Sequence, residues 1–433
     1  MENEAVRLLS EYLRIDTTNP PGNEKRSAEF FAKIFDHEGI EYKLYEPKPG
    51  RSSIRACLRG AGKKGAVILL NHMDVVPANA DEWSFDPFGG DVREGFVCGR
   101  GALDMKGQGI MELLAFLSLK RKGVDLIRDC IFLATADEEN QSYNGVKFLL
   151  ENHPDDFRAD VVLNEGGIGL TNLTHNKPGI MIATAEKGIC WLRVSRQGQA
   201  GHGSMPHGNN ALEKMIQALS RLVSINPPIT ITPVVAEYFK TLGNGVDVFS
   251  RYRDDCKIET LLKILAETGL DKLPQISAMI RNTISVTMMQ AGTSTNVIPD
   301  HAVAEMDIRI LPGQDAEEIM RYVKSALSDD AIRIERPQIH LASESPRDTE
   351  SYLTIQNVLE KAYPGSIIAP YLMIATSDSR FFREKGIASY GVSPITIPME
   401  SMNMIHGVDE KISVQNLMKG TEVFSELVQQ LCT

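Results

Sequence analysis

Short, almost wholly apolar runs punctuate the first part of the chain, and each stops at a histidine or an acid. Ala66-Val67-Ile68-Leu69-Leu70 has the composition of a buried strand and leads into His72. Asp129 to Thr135, with Ile131-Phe132-Leu133 at its centre, stops just before Glu138, and Val161-Val162-Leu163 stops just before Glu165. Between them Ile110, Leu113, Leu114 and Leu117 recur at the spacing of an amphipathic helix, as do Val6, Leu9 and Leu13 near the start. Strands alternating with helices predict an α/β fold, a mixed, mostly parallel sheet flanked by helices, with ligands bound outside the carboxyl ends of the strands.

After Lys187 the pattern changes to half-buried alternation. Cys190, Leu192 and Val194 alternate with polar residues, and Leu212, Met215, Ile216 and Leu219 mark a helix. Ile284, Val286 and Met288 then alternate, followed by Ala304, Met306, Ile308 and Ile310. A helix through Ile319, Val323 and Leu327 and a strand near Ile332 to His340 complete a βαββαβ order, an inserted α+β unit of ferredoxin-like type. A stretch from about Asn226 to Arg281 interrupts this unit with helix-like pieces such as Ile258 to Leu265, and no chemistry attaches to it. From Pro346 the α/β character returns, with Tyr352 to Ala362 helical. The predicted division is residues 1–186 and 344–433 as one catalytic domain, with 187–343 inserted.

Composition alters this picture little. The 433 residues are 42% hydrophobic and 24% charged, ordinary for a soluble globular protein of more than one domain. A formal charge of -11 argues against a nucleic-acid or anionic-membrane partner, both of which require a basic footprint. Six cysteines stand far apart without a C-x-x-C pair, so neither a thiolate zinc site nor a redox pair is signalled. No run of about 18 apolar residues occurs, and the start has no signal-peptide pattern, so a cytoplasmic protein is expected.

The chemistry lies in the acids and histidines at the segment ends. His72 and Asp74 point to the same side of an extended strand end, where a metal-binding imidazole and a carboxylate holding its other nitrogen would sit, although the pair alone also suits a structural histidine. Asp104 follows Gly99-Arg100-Gly101-Ala102-Leu103 and precedes a helix; it reads as an N-cap or as a carboxylate bridging two cations. Glu138-Glu139 is an unfavourable like-charge pair unless neutralised, and adjacent residues diverge, so one can ligate while the other acts as a base. Its bland alternative is an acidic surface turn. Glu165 precedes two glycines that permit close backbone approach, and His406 stands in the loop Met402 to Gly407. Together these segments specify a two-metal hydrolytic site. Ser204 lacks a G-x-S-x-G frame, which argues against a serine hydrolase.

In motif order, from Ile15-Asp16-Thr17-Thr18-Asn19-Pro20-Pro21-Gly22 to His406-Gly407-Val408-Asp409-Glu410, the chain resembles the dinuclear zinc family of aminoacylase-1, acetylornithine deacetylase, succinyl-diaminopimelate desuccinylase and glutamate carboxypeptidase. The resemblance implies a zinc-exopeptidase sheet with an inserted lid and two zinc ions per chain, replaceable by cobalt or manganese. It places His72, Asp104 and Glu165 on one ion and Asp104, Glu139 and His406 on the other. Glu138 becomes the general base, Asp74 the partner of His72, and the bond between Asp104 and Met105 is expected to be cis.

The same resemblance makes His202, in Gly201-His202-Gly203-Ser204, a lid histidine that stabilises the tetrahedral intermediate. It makes Asn296, Arg309, Thr376 and Arg380 substrate contacts. Local readings compete: a polar turn for His202, a turn before proline for Asn296, and a salt-bridged sheet surface for Arg309, which shares a strand face with Glu305 and Asp307. Ile374-Ala375 stands where the family usually has glycines before the Thr376 to Arg380 motif. The implied substrate is a small N-acyl amino acid or dipeptide with a free carboxylate, since Phe85-Asp86-Pro87-Phe88 and the tail Met399 to Val414 look nearest to carboxypeptidase and acylamino-acid hydrolase members. A biosynthetic deacylase of acetylornithine or succinyl-diaminopimelate type is the alternative. A homodimer through the lid is the family expectation, whereas a non-catalytic relative would lack a ligand or the base.

Overall fold

A computed structural model describes residues 3–174 and 177–433. Among these residues a ten-stranded mixed sheet forms the larger layer. Its centre is Cys130–Thr135, Ala66–His72, Ala159–Asn164 and Ala388–Gly391, side by side and parallel. Arg51–Leu58 and Tyr42–Lys48 extend one edge antiparallel, while Lys177–Glu186 continues the other and is joined by Ile367–Met373 and Ile168–Thr174. The predicted mixed, mostly parallel sheet is thus present, and the strands that lead into the candidate ligands are immediate neighbours.

Strand alternation determines what each face buries. Val67 and Leu69 point into one core with Phe132, Val161 and Leu163, whereas Ile68 and Leu70 point into another with Ile131, Leu133 and Val162. Helices Glu4–Leu13, Lys25–Glu38, Lys106–Lys122, Glu350–Ala362 and Val414–Cys432 cover the first face. Each large aliphatic side chain fully buried there contributes roughly 1.5 to 3 kcal/mol. Lys106–Lys122 departs from its amphipathic expectation: Ile110 to Leu117 is buried continuously, because Val414–Cys432 packs on the side turned away from the sheet. Even its polar residues Gln108 and Glu112 are buried.

The second unit is a four-stranded antiparallel sheet, ordered Thr283–Ala291, His301–Ile310, Gly188–Gln197 and Ile332–His340, with helices Ala211–Val223 and Ala316–Leu327. Cys190, Leu192 and Val194 meet Ala304, Met306 and Ile308 under Met215, Leu219 and Val323, giving the βαββαβ order read from the alternation. The interrupting stretch packs elsewhere. Its helices Pro233–Leu242, Ser250–Asp255, Ile258–Thr268 and Pro274–Ile280 bring Phe239, Tyr252, Leu261 and Ile280 against Met181, Ala185, Ala369 and Leu372 of the large sheet. This segment therefore leaves the small sheet and returns to cover the second face of the large one.

Candidate metal centre

The parallel strands deliver their acids and histidine to one end of the large sheet. His72 is the last residue of Ala66–His72; Glu138 and Glu139 form a single turn just beyond Cys130–Thr135; Glu165 follows Ala159–Asn164. Asp104 arrives from a loop after a glycine turn. The N-cap of the helix that follows it is Met105, with no side-chain cap, so the N-cap reading of Asp104 does not hold. The Asp104–Met105 peptide bond is cis, and His406 has a positive φ of 60°.

Asp104 stands between the two histidines. Its Oδ1 lies 3.1 Å from His72 Nε2 and its Oδ2 3.2 Å from His406 Nε2. Glu165 Oε1 is 3.9 Å from His72 Nε2, and Glu139 Oε1 is 3.3 Å from His406 Nε2. His72, Asp104 and Glu139 can each offer a ligand atom within 4.8 Å of the others, and so can His72, Glu138 and Glu165. Segments distant in sequence thus meet at one point, divided by the two oxygens of a single carboxylate.

The electrostatics require positive charge here. Burial, reinforced by the Glu165 carboxylate, pushes Glu138 well above the usual carboxylate range, and burial with the Asp104 charge does the same to Glu165. Glu139 is raised by burial despite its contact with His406. Asp104 moves the other way: hydrogen bonds from His406 and His72 outweigh its desolvation and hold its pKa low. Against the desolvation that would discharge it, His72 is held well above an ordinary imidazole by Asp104, Asp74 and Glu165, and bonding to Asp104 and Glu139 lifts His406 to about 10. Divalent cations would supply the positive charge that these acids call for. Glu139 Oε1, buried at ion-pair distance from His406, has no hydrogen bond in line with it. An acid-rich, oxygen- and imidazole-donating cluster with an unsatisfied oxygen fits a pair of borderline divalent ions.

The support of these candidate ligands was not visible in local sequence. His72 Nδ1 donates to the backbone carbonyl of Asp74 at 3.0 Å, while the Asp74 carboxylate, expected to take that bond, is 3.6 Å away. Instead the buried Asp74 carboxylate accepts the backbone N–H groups of Glu138 and Glu139, each at 3.1 Å, and Asn19 Nδ2 at 2.8 Å. Glu410 accepts backbone N–H groups from Gly101, Leu103 and Asp104 and pairs with Arg100 at 2.8 Å. The buried segment Ser377 to Arg380 lies beneath Glu165: Asn164 Nδ2 donates to Ser377 Oγ and Ser379 Oγ, and Asp378 accepts from Ser142 and Thr135.

The remaining candidates lie in two places. Thr376 and Arg380 adjoin this support; Arg380 is buried, donates to Ser377 O at 2.7 Å and leaves its Nε without a partner. His202 and Asn296 meet on a small ribbon, where Gly201–His202 pairs with Val297–Ile298 and Gly203 N donates to Asn296 O at 2.7 Å. Arg309 is on the small sheet, doubly bonded to Asp307 at 2.8 and 3.0 Å. Among the described residues, no hydrogen bond joins His202, Asn296 or Arg309 to the carboxylate cluster.

A paired-carboxylate and histidine cluster at the carboxyl end of a parallel sheet defines a metal-dependent amide hydrolase. The sequence profile described as Peptidase family M20/M25/M40 matches residues 68–430, and the chain belongs to this family. It is 31% identical over 385 residues to the human N-fatty-acyl-amino acid synthase/hydrolase, covering 84% of this chain and 74% of that relative. With aminoacylase-1 of Dictyostelium discoideum the identity is 25% over 448 residues, covering 99% of this chain and 98% of the relative. The M20 family metallo-carboxypeptidase of Sulfolobus solfataricus shares the fold, with a TM-score of 0.76 at 20% identity over 99% of both chains.

Proposed function

We propose that this enzyme hydrolyses the amide bond of small N-acyl amino acids or dipeptides that carry a free carboxylate. The observation that carries the reading is Asp104, whose two oxygens face His72 and His406 at 3.1 and 3.2 Å with Glu138 beside them. His72, Asp104 and Glu165 would hold one cation, and Asp104, Glu139 and His406 the other, with zinc the proposed native ion. A bound pair supplies a Lewis acid for the carbonyl and acidifies water. Glu138, free of hydrogen-bond partners on its carboxylate among the described residues, takes a proton from the attacking water and delivers it to the departing nitrogen.

Within the same reading the βαββαβ unit acts as a lid, and His202 and Asn296 close over the substrate from its ribbon. His202 is prepared for this: Ser204 N donates to His202 Nδ1 at 3.2 Å, which leaves Nε2–H as the donor. Thr376 and Arg380 on one side and Arg309 on the other contact the substrate, and Arg309 must exchange Asp307 for a substrate carboxylate to do so. A cytoplasmic homodimer joined through the lid completes the proposal; no described helix is long and apolar enough to cross a membrane. The test is Glu138→Ala, with zinc, manganese or cobalt supplied and acetyl, succinyl and long-chain acyl amino acids and dipeptides as substrates. Loss of hydrolysis with metal content near two per chain is expected, and retained turnover overturns the assignment.

A further inference from the structure

A second buried charge cluster adjoins the candidate metal centre. Arg51, at the start of the strand Arg51–Leu58, passes its side chain inward over Gly22, where a Cβ would come within 2.4 Å of the guanidinium carbon. Its Nη2 donates to Asp137 Oδ1 at 2.6 Å and to Glu24 Oε1 at 2.8 Å, and its Nη1 donates to Pro21 O at 2.8 Å. Its Nε lies 2.8 Å from Glu24 Oε2. Both acids are buried, Glu24 at 0% and Asp137 at 1% exposure, so this guanidinium faces two desolvated carboxylates.

Asp137 is the residue immediately before Glu138. It holds a left-handed backbone with φ 70°, a conformation that costs a non-glycine residue energy and that sets where the next two side chains point. Three partners fix it there. Arg51 and Asn19 Nδ2 reach Oδ1, the latter at 3.1 Å, and Asn144 donates to Oδ2 from both its backbone and its side chain at 2.9 and 2.7 Å. Asn19 uses the same amide group to bond Asp74 Oδ2 at 2.8 Å, and Asp74 in turn receives the N–H groups of Glu138 and Glu139. The turn carrying the proposed base and one proposed ligand is therefore gripped twice, by its own leading residue and by Asp74, and Asn19 links the two grips.

We infer that Arg51 is a positioning residue of the hydrolytic site, acting through Asp137 and Asn19 to aim Glu138 and Glu139. The inference rests on the reading of Glu139 as a ligand and Glu138 as the base. Guanidinium geometry is what the position requires, because a fork is needed to span Glu24, Asp137 and Pro21 O at once; an ammonium can supply the charge but not the fork. A brace that served the fold alone would leave ligand geometry unchanged when removed.

The experiment is a cobalt(II) titration of the metal-free full chain, followed by its visible absorption, in wild type, Arg51→Met, Arg51→Lys and Asp137→Asn, with kcat and KM measured on the cobalt-loaded proteins. Outer partners of metal ligands typically contribute about 10 to 100-fold in metal affinity or activity. Arg51→Met and Asp137→Asn are expected to weaken cobalt binding by about that factor, alter the cobalt spectrum, and lower kcat with KM within about twofold, with Arg51→Lys between them and wild type. Wild-type cobalt affinity, spectrum and kcat in Arg51→Met, with only a lowered unfolding midpoint, overturns the inference. Should Arg51→Met not fold, Asp137→Asn decides, since it keeps the shape and removes the charge: wild-type binding and kcat there overturn it equally. The titration does not depend on turnover, so it stays decisive if Glu138 proves not to be the base.

Discussion

The Glu410 carboxylate accepts the backbone N–H of Asp104 at 3.0 Å, which ties the loop that carries Asp104 to the loop that carries His406. The same carboxylate takes N–H groups from Gly101 and Leu103 and the Arg100 guanidinium, whose other nitrogen donates to Gly407 O at 2.7 Å. Both residues are buried, Arg100 at 3% and Glu410 at 0% exposure. Glu410→Ala would leave one nitrogen of the Arg100 guanidinium and three backbone N–H groups without their acceptor. A loss of about 3 to 5 kcal/mol is expected, the usual result of breaking a buried pair from one side. Urea unfolding measures it, and metal analysis of the folded fraction should show reduced occupancy, because Asp104 and His406 lose their common anchor. Glu410→Gln, which keeps one acceptor oxygen, should lie between.

Chelation should destabilise the protein through the same cluster. Without cations the crowded acids repel one another, with only the imidazoles of His72 and His406 among the candidate ligands to balance them. An ion that binds only the folded state stabilises it by about 2.7 kcal/mol at a hundredfold excess over its dissociation constant. A chelator should therefore lower the unfolding midpoint in urea, and added zinc, manganese or cobalt should restore it. A midpoint indifferent to chelator would mean that the cluster does not hold metal.

Three of the candidate ligands were legible because they stand at or just past the end of an apolar run whose strand character the sequence declares, His72 after Ala66 to Leu70, Glu139 after Ile131 to Leu133 and Glu165 after Val161 to Leu163, whereas Asp104 and His406 lie in loops and were marked by the family resemblance. Their supports were not. Arg100 and Glu410 are separated by 310 positions, and Asn19 and Asp137 by 118, so no local periodicity marks either pair. Between Pro233 and Ile280 a piece such as Ile258 to Leu265 was recognisable as helical, but its apolar face does not say which sheet it covers. Lys106–Lys122 misled differently: Leu113 and Leu117 sit at amphipathic spacing, yet the helix is enclosed by Val414–Cys432, a contact of residues from the far end of the chain. Arg309 shows local reading and family resemblance pulling apart, since its Asp307 pairing is the sheet-surface arrangement and its proposed substrate role requires that pair to open.

His202 separates chemistry from folding. The residue is exposed, so its removal should cost no more than about 0.5 kcal/mol of stability, as for other surface positions. If its Nε2–H stabilises developing oxyanion charge, His202→Ala should lower kcat by about 100 to 1,000-fold, the range found for loss of one such donor. Steady-state kinetics on the metal-loaded enzyme, with unfolding curves and metal content alongside, checks both halves. Unchanged kcat would remove the lid histidine from the reaction.

Glu112 gives a pH dependence of stability from a group outside the carboxylate cluster. It is fully buried in Lys106–Lys122, accepting Gln108 Nε2 and Asn71 Nδ2, each at 3.0 Å, and desolvation raises its pKa from 4.5 to about 8. In the unfolded chain the carboxyl ionises near 4.5, so between there and about pH 8 the folded state holds one more proton than the unfolded state. Its contribution to stability is therefore fully present below the unfolded pKa and declines as pH rises to the folded value, by at most about 1.4 kcal/mol per pH unit. Glu112→Gln cannot ionise and has nearly the same shape, and its amide can donate to Asn71 Oδ1, which is buried without a partner. The variant should match or fall below wild type near pH 5 and exceed it near pH 8, with the difference growing steadily between. Parallel unfolding curves of the two proteins across that range, at fixed metal, measure this difference; a constant offset would mean that Glu112 does not take up the extra proton on folding.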